Sequence, residues 1–220
     1  MSAKQAITLF AGVHSRDLVP RGIVKTFHLE KEVKVIENPD PVEYKKLFPQ
    51  AKYPSLVGPN GYKLHEFIAV VMYLISLRKA EAEYLLGDND LEQFQIMKWM
   101  SWGTTEFVNA YKPLNSIARG KTSNDAKVVV ESYKNLKFQV EYLETALKER
   151  KFKYLVNDKV TLADLFATAL FNRVFQFMHG AEWRDQHPVL MAWFKEVSSD
   201  PILSWFDFPL CDKPYPYKFE

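Results

Sequence analysis

The sequence predicts a mixed α/β domain followed by an all-helical one, and three observations carry that prediction. Short β-branched or aromatic runs alternate with helical-period stretches up to Leu77, in the order βαβαββα. Prolines and glycines punctuate this first third of the chain. Beyond about Gly87 the strand punctuation stops, and apolar residues recur three or four apart over long stretches. With 220 residues, at ~100–200 per domain, the chain is long enough to bury a sizeable core without disulfides or metal.

Ile7 to Ala11 is β-branched or aromatic and reads as the first strand. Pro20 then opens a stretch in which Val19, Ile23, Val24 and Phe27 keep helical spacing. That period runs straight through Leu18 to Gly22, so these residues read as native chain, although they spell a protease-cleavable linker. Glu32 to Ile36 alternates as a strand does, and Pro41 to Phe48, carrying Val42, Tyr44 and Leu47, reads as a short helix. Tyr53 to Val57 is a third strand, Gly58 to Gly61 a turn, Tyr62 to Leu64 a fourth strand and Glu66 to Leu77 a helix. Two domains follow, residues 1–80 and 88–220.

In the second domain, Leu91 to Leu114 reads as one long helix on the spacing of Leu91, Phe94, Ile96, Met97, Met100, Phe107 and Val108. Asn124 to Arg150 repeats the pattern with Val128, Tyr133, Leu136, Val140, Leu143 and Leu147. A helix from Leu162 to about Met178 comes next, then His187 and Pro188 open Val189 to Val197, and Pro201 starts a final turn. Thr161 and Asp164 form an N-cap and third-position acid, with Val160 and Leu165 placed to staple over them. Asp164 is therefore a helix-start residue and not a catalytic one.

Composition removes several classes of function. Twenty-nine basic against 27 acidic side chains leave +2, with no basic footprint for nucleic acid. Hydrophobic residues make up 47% and aromatics 15%, which excludes disorder. One cysteine, Cys211, provides no internal disulfide, Cys-x-x-Cys pair or thiolate metal site, and the five histidines are scattered without a His-x-x-x-His pair. No metal is expected. The longest apolar stretch, Phe67 to Leu77, is about half the ~20 residues that span a bilayer, and there is no charged-then-apolar leader. A cytoplasmic protein that does not enter the membrane is expected.

The βαβαββα unit, a proline opening its third strand, an acid before its third helix and a Thr-x-x-Asp-capped helical domain together resemble the glutathione transferase superfamily, over nearly the whole chain. Four segments resemble more specifically the N-terminal transferase-like domain of the fungal translation elongation factor one gamma family. They are Val19-Pro20-Arg21-Gly22-Ile23-Val24-Lys25, Gly58-Pro59-Asn60-Gly61-Tyr62-Lys63-Leu64, Thr161-Leu162-Ala163-Asp164-Leu165 and Glu182-Trp183-Arg184-Asp185-Gln186-His187-Pro188. That family continues into a lysine-rich linker and another domain, whereas this chain stops at Glu220, so either it is a stand-alone relative or the rest is absent. The resemblance implies a glutathione transferase fold, with a thioredoxin-like N-terminal domain and an all-α C-terminal domain.

It also implies a site for glutathione, an anionic tripeptide with two carboxylates, an ammonium and a thiol. Pro54 takes the place of the family's cis proline, which turns the Tyr53 backbone outward to pair with the cysteinyl unit. Glu66 and Phe67 occupy the start of the third helix, where backbone N–H groups take the glutamyl carboxylate and a side-chain carboxylate meets the ammonium. Phe67 stands where the family has serine, so one charge-assisted bond of ~1.5–3 kcal/mol, about one to two decades of affinity, is missing. Lys52 is placed for the glycyl carboxylate. For Glu66 a plain helix-start acid, and for Lys52 a solvated surface cation, remain the bland alternatives.

Thiol activation in the superfamily uses a hydroxyl or thiol in the loop after the first strand. Here Ser15 is the only hydroxyl in Gly12 to Asp17, Arg16 supplies positive potential and His14 a ring donor, which makes Ser15 and Arg16 the expected thiolate stabilisers. Trp99, Trp102, Phe107 and Tyr111 are expected either to line a second-substrate pocket for a small electrophile or to pack as core. The family commonly forms twofold dimers, so a homodimer is implied. The expected function is conjugation of glutathione to small electrophiles. Its alternative is a non-catalytic module that holds a translation elongation factor exchange subunit.

Overall fold

A computed structural model describes residues 7–220; the first six residues of the expected 1–80 domain lie outside them. The chain forms two compact units, one reaching to Tyr84 and including Pro201–Phe206, the other formed by Leu85–Asp200 with Asp207–Glu220.

The first unit is built on a four-stranded sheet of β1 (Ile7–Phe10), β2 (Val33–Ile36), β3 (Ser55–Val57) and β4 (Lys63–His65), in the order β2-β1-β3-β4. β1 pairs parallel with β2 in the register Ile7 to Val33 and antiparallel with β3 in the register Leu9 to Leu56. β4 pairs antiparallel with β3 and closes the edge. Helices α1 (Ser15–Thr26) and α2 (Pro41–Leu47) connect β1 to β2 and β2 to β3, a 3₁₀ turn at Pro59–Gly61 joins β3 to β4, and α3 (Phe67–Ser76) follows β4. Leu9, Val19, Ile23, Leu56, Val70 and Leu74 are fully or almost fully buried between these elements.

Two expectations are corrected here. Helix α1 begins at Ser15, with Pro20 inside it as the sixth helical residue. The Asp17 carboxylate accepts the His14 backbone N–H at 3.1 Å, so the helix starts five residues upstream of the proline. Pro20 removes a single i to i−4 bond, the one to the Arg16 carbonyl, and the helix continues. The third strand starts two residues later than Tyr53, at Ser55, because Pro54 carries no N–H for the ladder; the Tyr53–Pro54 peptide is cis.

After a short α4 (Lys79–Ala82) and a 3₁₀ turn at Glu83–Leu86, the second unit begins with α5 (Asp90–Trp102). The single helix expected from Leu91 to Leu114 is broken: a π-helical turn at Gly103–Phe107 separates α5 from α6 (Val108–Ala118). Gly103 lies so close to α8 (Leu162–Phe177) that a Cβ there would stand 2.8 Å from Phe166 Cε1. Of the spacing residues expected in the core, Leu91, Phe94 and Met97 are instead 75%, 66% and 44% exposed, while Ile96 and Met100 are buried. The unit is completed by α7 (Ala126–Glu149), α9 (Ala181–Asp185) and α10 (Pro188–Ser198).

The Thr161 cap forms as expected and does more than start α8. Asp164 is fully buried and accepts from Thr161 N (3.1 Å), Thr161 Oγ1 (2.9 Å), Leu155 N (3.0 Å) and Trp193 Nε1 (3.0 Å). One carboxylate thus ties together the helix start, the preceding loop and α10. No helix among the described residues is long and apolar enough to cross a membrane, and no group of metal-binding side chains occurs among them.

Candidate functional site

The first unit holds a cavity of about 390 Å³. Its walls come from three places: Arg16 in the first turn of α1, the segment Leu47 to Pro54 between α2 and β3, and Lys63 with His65 to Phe67 from β4 into α3. The back of the wall is a packed aromatic cluster of Phe10, Tyr44 and Phe48. Tyr44 stacks on Tyr53 with ring centroids 4.8 Å apart, donates from its hydroxyl to the Lys52 carbonyl at 2.6 Å and hydrogen-bonds Ser55 Oγ at 2.9 Å. This cluster fixes the Lys52-Tyr53-Pro54 backbone against the sheet.

At the opposite side, Glu66 is the N-cap of α3 with φ 75 and ψ 133. A non-glycine residue in that left-handed region carries ~1–3 kcal/mol of strain, which persists where surrounding structure enforces it and clusters at functional sites. The Glu66 carboxylate makes no capping bond to its own helix. Glu66 is exposed and lines the cavity at the N-terminus of α3, the end of the helix that carries the N–H groups without an intrahelical partner.

The lining carries three fixed cations, Arg16, Lys52 and Lys63, against the single carboxylate of Glu66. An anion with one ammonium fits that balance. Among the described residues Tyr53 is the one hydroxyl side chain on the lining. Burial, with the Asp17 carboxylate adding to it, pushes the Tyr53 phenol above its ordinary value. It therefore stays protonated at neutral pH and serves as a donor. Asp17 is itself pushed up to about 6 by burial, against the opposing pull of its backbone hydrogen bonds and of Arg21 and Arg16.

Six of the expected residues, Arg16, Lys52, Tyr53, Pro54, Glu66 and Phe67, line this one cavity. Ser15 and His14 do not. Ser15 is the first residue of α1, only 3% exposed, and its hydroxyl faces protein without a hydrogen-bond partner. His14 stands at the N-cap of the same helix. The expected second-substrate residues pack as core. Trp99, Trp102, Phe107 and Tyr111 are at most 7% exposed. Trp102 donates to Gln139 Oε1 at 2.7 Å, and Phe107 packs tilted against Phe171 with 4.8 Å between centroids.

Gln50, Lys63 and His65 also line the cavity, and the sequence analysis does not single them out for it. Lys63 and His65 are two apart on strand β4 and so share one face of it. That spacing was a usable signal for them.

Residues 96–201 match the family model described as glutathione S-transferase, C-terminal domain. The chain is 36% identical over 219 residues to elongation factor 1-gamma 1 of Saccharomyces cerevisiae, a match that covers 94% of this chain and 51% of that protein. The chain therefore spans about half the length of that relative. It is 30% identical over 208 residues to glutathione S-transferase psoE of Aspergillus fumigatus, covering 93% of this chain and 85% of the other. Among solved structures, the crystal structure of the GST-like domain of elongation factor 1-gamma from Saccharomyces cerevisiae superimposes with a TM-score of 0.82 at 33% identity, covering 97% and 99% of the two chains.

Proposed function

Because this chain belongs to the glutathione S-transferase family and has its fold, a thioredoxin-like unit and an all-helical unit, we propose that its N-terminal cavity binds reduced glutathione and promotes attack of its thiolate on small electrophiles. One observation carries the reading. The cis Tyr53–Pro54 segment, the strained Glu66 at the start of α3 and the Arg16 guanidinium converge on one cavity of about 390 Å³.

In this reading the Tyr53 backbone pairs with the cysteinyl unit. The N–H groups at Phe67 take the glutamyl carboxylate, the Glu66 carboxylate meets the ammonium, and Lys52 takes the glycyl carboxylate. Arg16 and the protonated Tyr53 phenol stabilise the thiolate, and Ser15 has no part in it. The thiol proton passes to water, a sulfur–carbon bond forms, and the leaving group departs with its electron pair.

The test is calorimetric titration with reduced glutathione, alongside conjugation rates with a chlorodinitrobenzene. Binding at millimolar or better is expected, abolished in Glu66→Ala, and a fall in rate of about tenfold or more in Arg16→Ala and Tyr53→Phe. Absence of heat at millimolar glutathione removes this reading. A second reading, a non-catalytic module of translation elongation complexes that holds a nucleotide-exchange subunit, is favoured by the likeness to elongation factor 1-gamma along nearly the whole chain. Stoichiometric co-purification of an exchange subunit, with no turnover, selects it.

A further inference from the structure

The wall of the N-terminal cavity carries two opposite charges that do not neutralise one another. Lys63 and Glu66 are three residues apart, and both are exposed and line the cavity. At ~3.3 Å per residue their Cα atoms are at most about 10 Å apart, close enough for two long side chains to meet. Among the described residues, however, neither belongs to an ion pair, and the Glu66 side chain makes no capping bond to α3.

The register of the sheet decides where the Lys63 side chain goes. Lys63 pairs with Val57 and His65 with Ser55, and directly opposed residues of an antiparallel pair project from the same face. On that face Ser55 Oγ hydrogen-bonds the Tyr44 hydroxyl at 2.9 Å, and Val57 packs against the cluster of Phe10, Tyr44 and Phe48 that backs the cavity. Lys63 and His65 therefore leave β4 on the cavity side. Leu64, between them, pairs with the fully buried Leu56 on the opposite face. Because β4 is the edge of the sheet, no further strand stands beside Lys63 to take its charge.

Glu66 follows directly where the strand ends. Its backbone, at φ 75 and ψ 133, turns the chain from β4 into α3, which sets the carboxylate at the corner and the Lys63 cation behind it on the same wall. Such a pair suits a ligand group that carries the two complementary charges side by side. The head of an α-amino acid does so, with ammonium and carboxylate on one carbon. In glutathione that head is the glutamyl end.

Resting on the glutathione reading of this cavity, we propose that Lys63 is a specificity-determining residue that binds the glutamyl α-carboxylate while Glu66 holds the ammonium beside it. Lys63 thereby supplies a charge-assisted donor that a phenylalanine side chain at position 67 cannot. Lys52, in the segment between α2 and β3, remains for the glycyl carboxylate at the other end of the tripeptide.

The test is a 1H–15N shift titration of the full chain with three ligands, which reads millimolar and weaker binding alike. They are glutathione, its glycyl ethyl ester, and 4-aminobutanoyl-cysteinylglycine, which is glutathione without the glutamyl carboxylate. Lys63→Ala is expected to weaken glutathione and the ester by about tenfold each, the worth of one charge-assisted bond, and to leave the aminobutanoyl peptide unchanged. Lys63→Arg is expected to keep the affinity for glutathione. Unchanged glutathione affinity in Lys63→Ala, an equal loss for all three ligands, or a loss that spares the ester overturns the proposal and leaves the glutathione reading standing. No shift with glutathione in the unaltered protein removes both.

Discussion

Replacing Asp164 is expected to bring the helical unit to the edge of unfolding, and the size of the effect follows from counting stranded donors. In Asp164→Ala the N–H groups of Leu155, Thr161 and Trp193 lose their acceptor inside protein. At ~1–3 kcal/mol for each unsatisfied buried donor the loss is about 3–9 kcal/mol, against ~5–15 kcal/mol for the whole stability of a typical domain. Asp164→Asn is the controlled comparison. Its carbonyl can keep Leu155 N and Trp193 Nε1, which share Oδ1, while its amide faces the Thr161 N–H that Oδ2 had served. The Thr161 hydroxyl can turn round and accept, so one donor is stranded, at ~1–3 kcal/mol. Urea unfolding followed by tryptophan fluorescence reads both. With a slope of ~3 kcal/mol/M the midpoint should fall by about 1–3 M for Ala and 0.3–1 M for Asn. Equal midpoints for the two variants, or a loss under 1 kcal/mol for Ala, would refute the donor count.

Gly22→Ala pits helix propensity against a clash. Alanine in a helix gains up to ~1 kcal/mol over glycine, but its Cβ would lie 1.9 Å from the Ile202 carbonyl oxygen, and overpacking against backbone costs ~1–3 kcal/mol or more. A lowered Tm is expected, and an unchanged or raised one would mean that the Pro201–Phe206 turn yields freely. Asp17 makes stability fall as pH rises. Its carboxyl titrates at about 6 when folded and near 3.8 when not, so the folded state holds the extra proton between those values. About 3 kcal/mol is then lost from pH 4 to above pH 6, at 1.36 kcal/mol per pH unit. Asp17→Asn should flatten that slope in urea midpoints measured from pH 4.5 to 7.5. An equal slope in both proteins sinks the assignment.

Much of the architecture was readable in local patterns. The alternation of Val33 to Ile36, the helical spacing of Val19, Ile23 and Val24, and the cap at Thr161 are each encoded within a few residues, because period and capping are properties of one element. Where the reading erred, a residue answered to something distant in sequence. Pro20 carries a helix-start signal, yet the helix begins upstream of it, where Asp17 accepts the His14 backbone N–H. The π-helical turn that breaks the long period starts at Gly103, where the chain packs close against Phe166, far along the sequence. Leu91, Phe94 and Met97 carry a core-like period yet face outward, since spacing alone does not say which face has a neighbour to pack against.

The site divides the same way. Composition alone gives a chain without metal-binding motifs or a basic nucleic-acid footprint, and the resemblance to the glutathione transferase superfamily marks Lys52, Tyr53, Pro54 and Glu66. Only the tertiary structure decided that Arg16 reaches the cavity while its neighbour Ser15 is sealed into the fold. Successive residues of a helix point about 100° apart, so one step along the chain exchanges cavity for core. Likewise only the sheet register turns the shared face of Lys63 and His65 toward the cavity. Period says which residues of a strand share a face, while the partner strand sets which face meets the cavity, and no local pattern contains that partner.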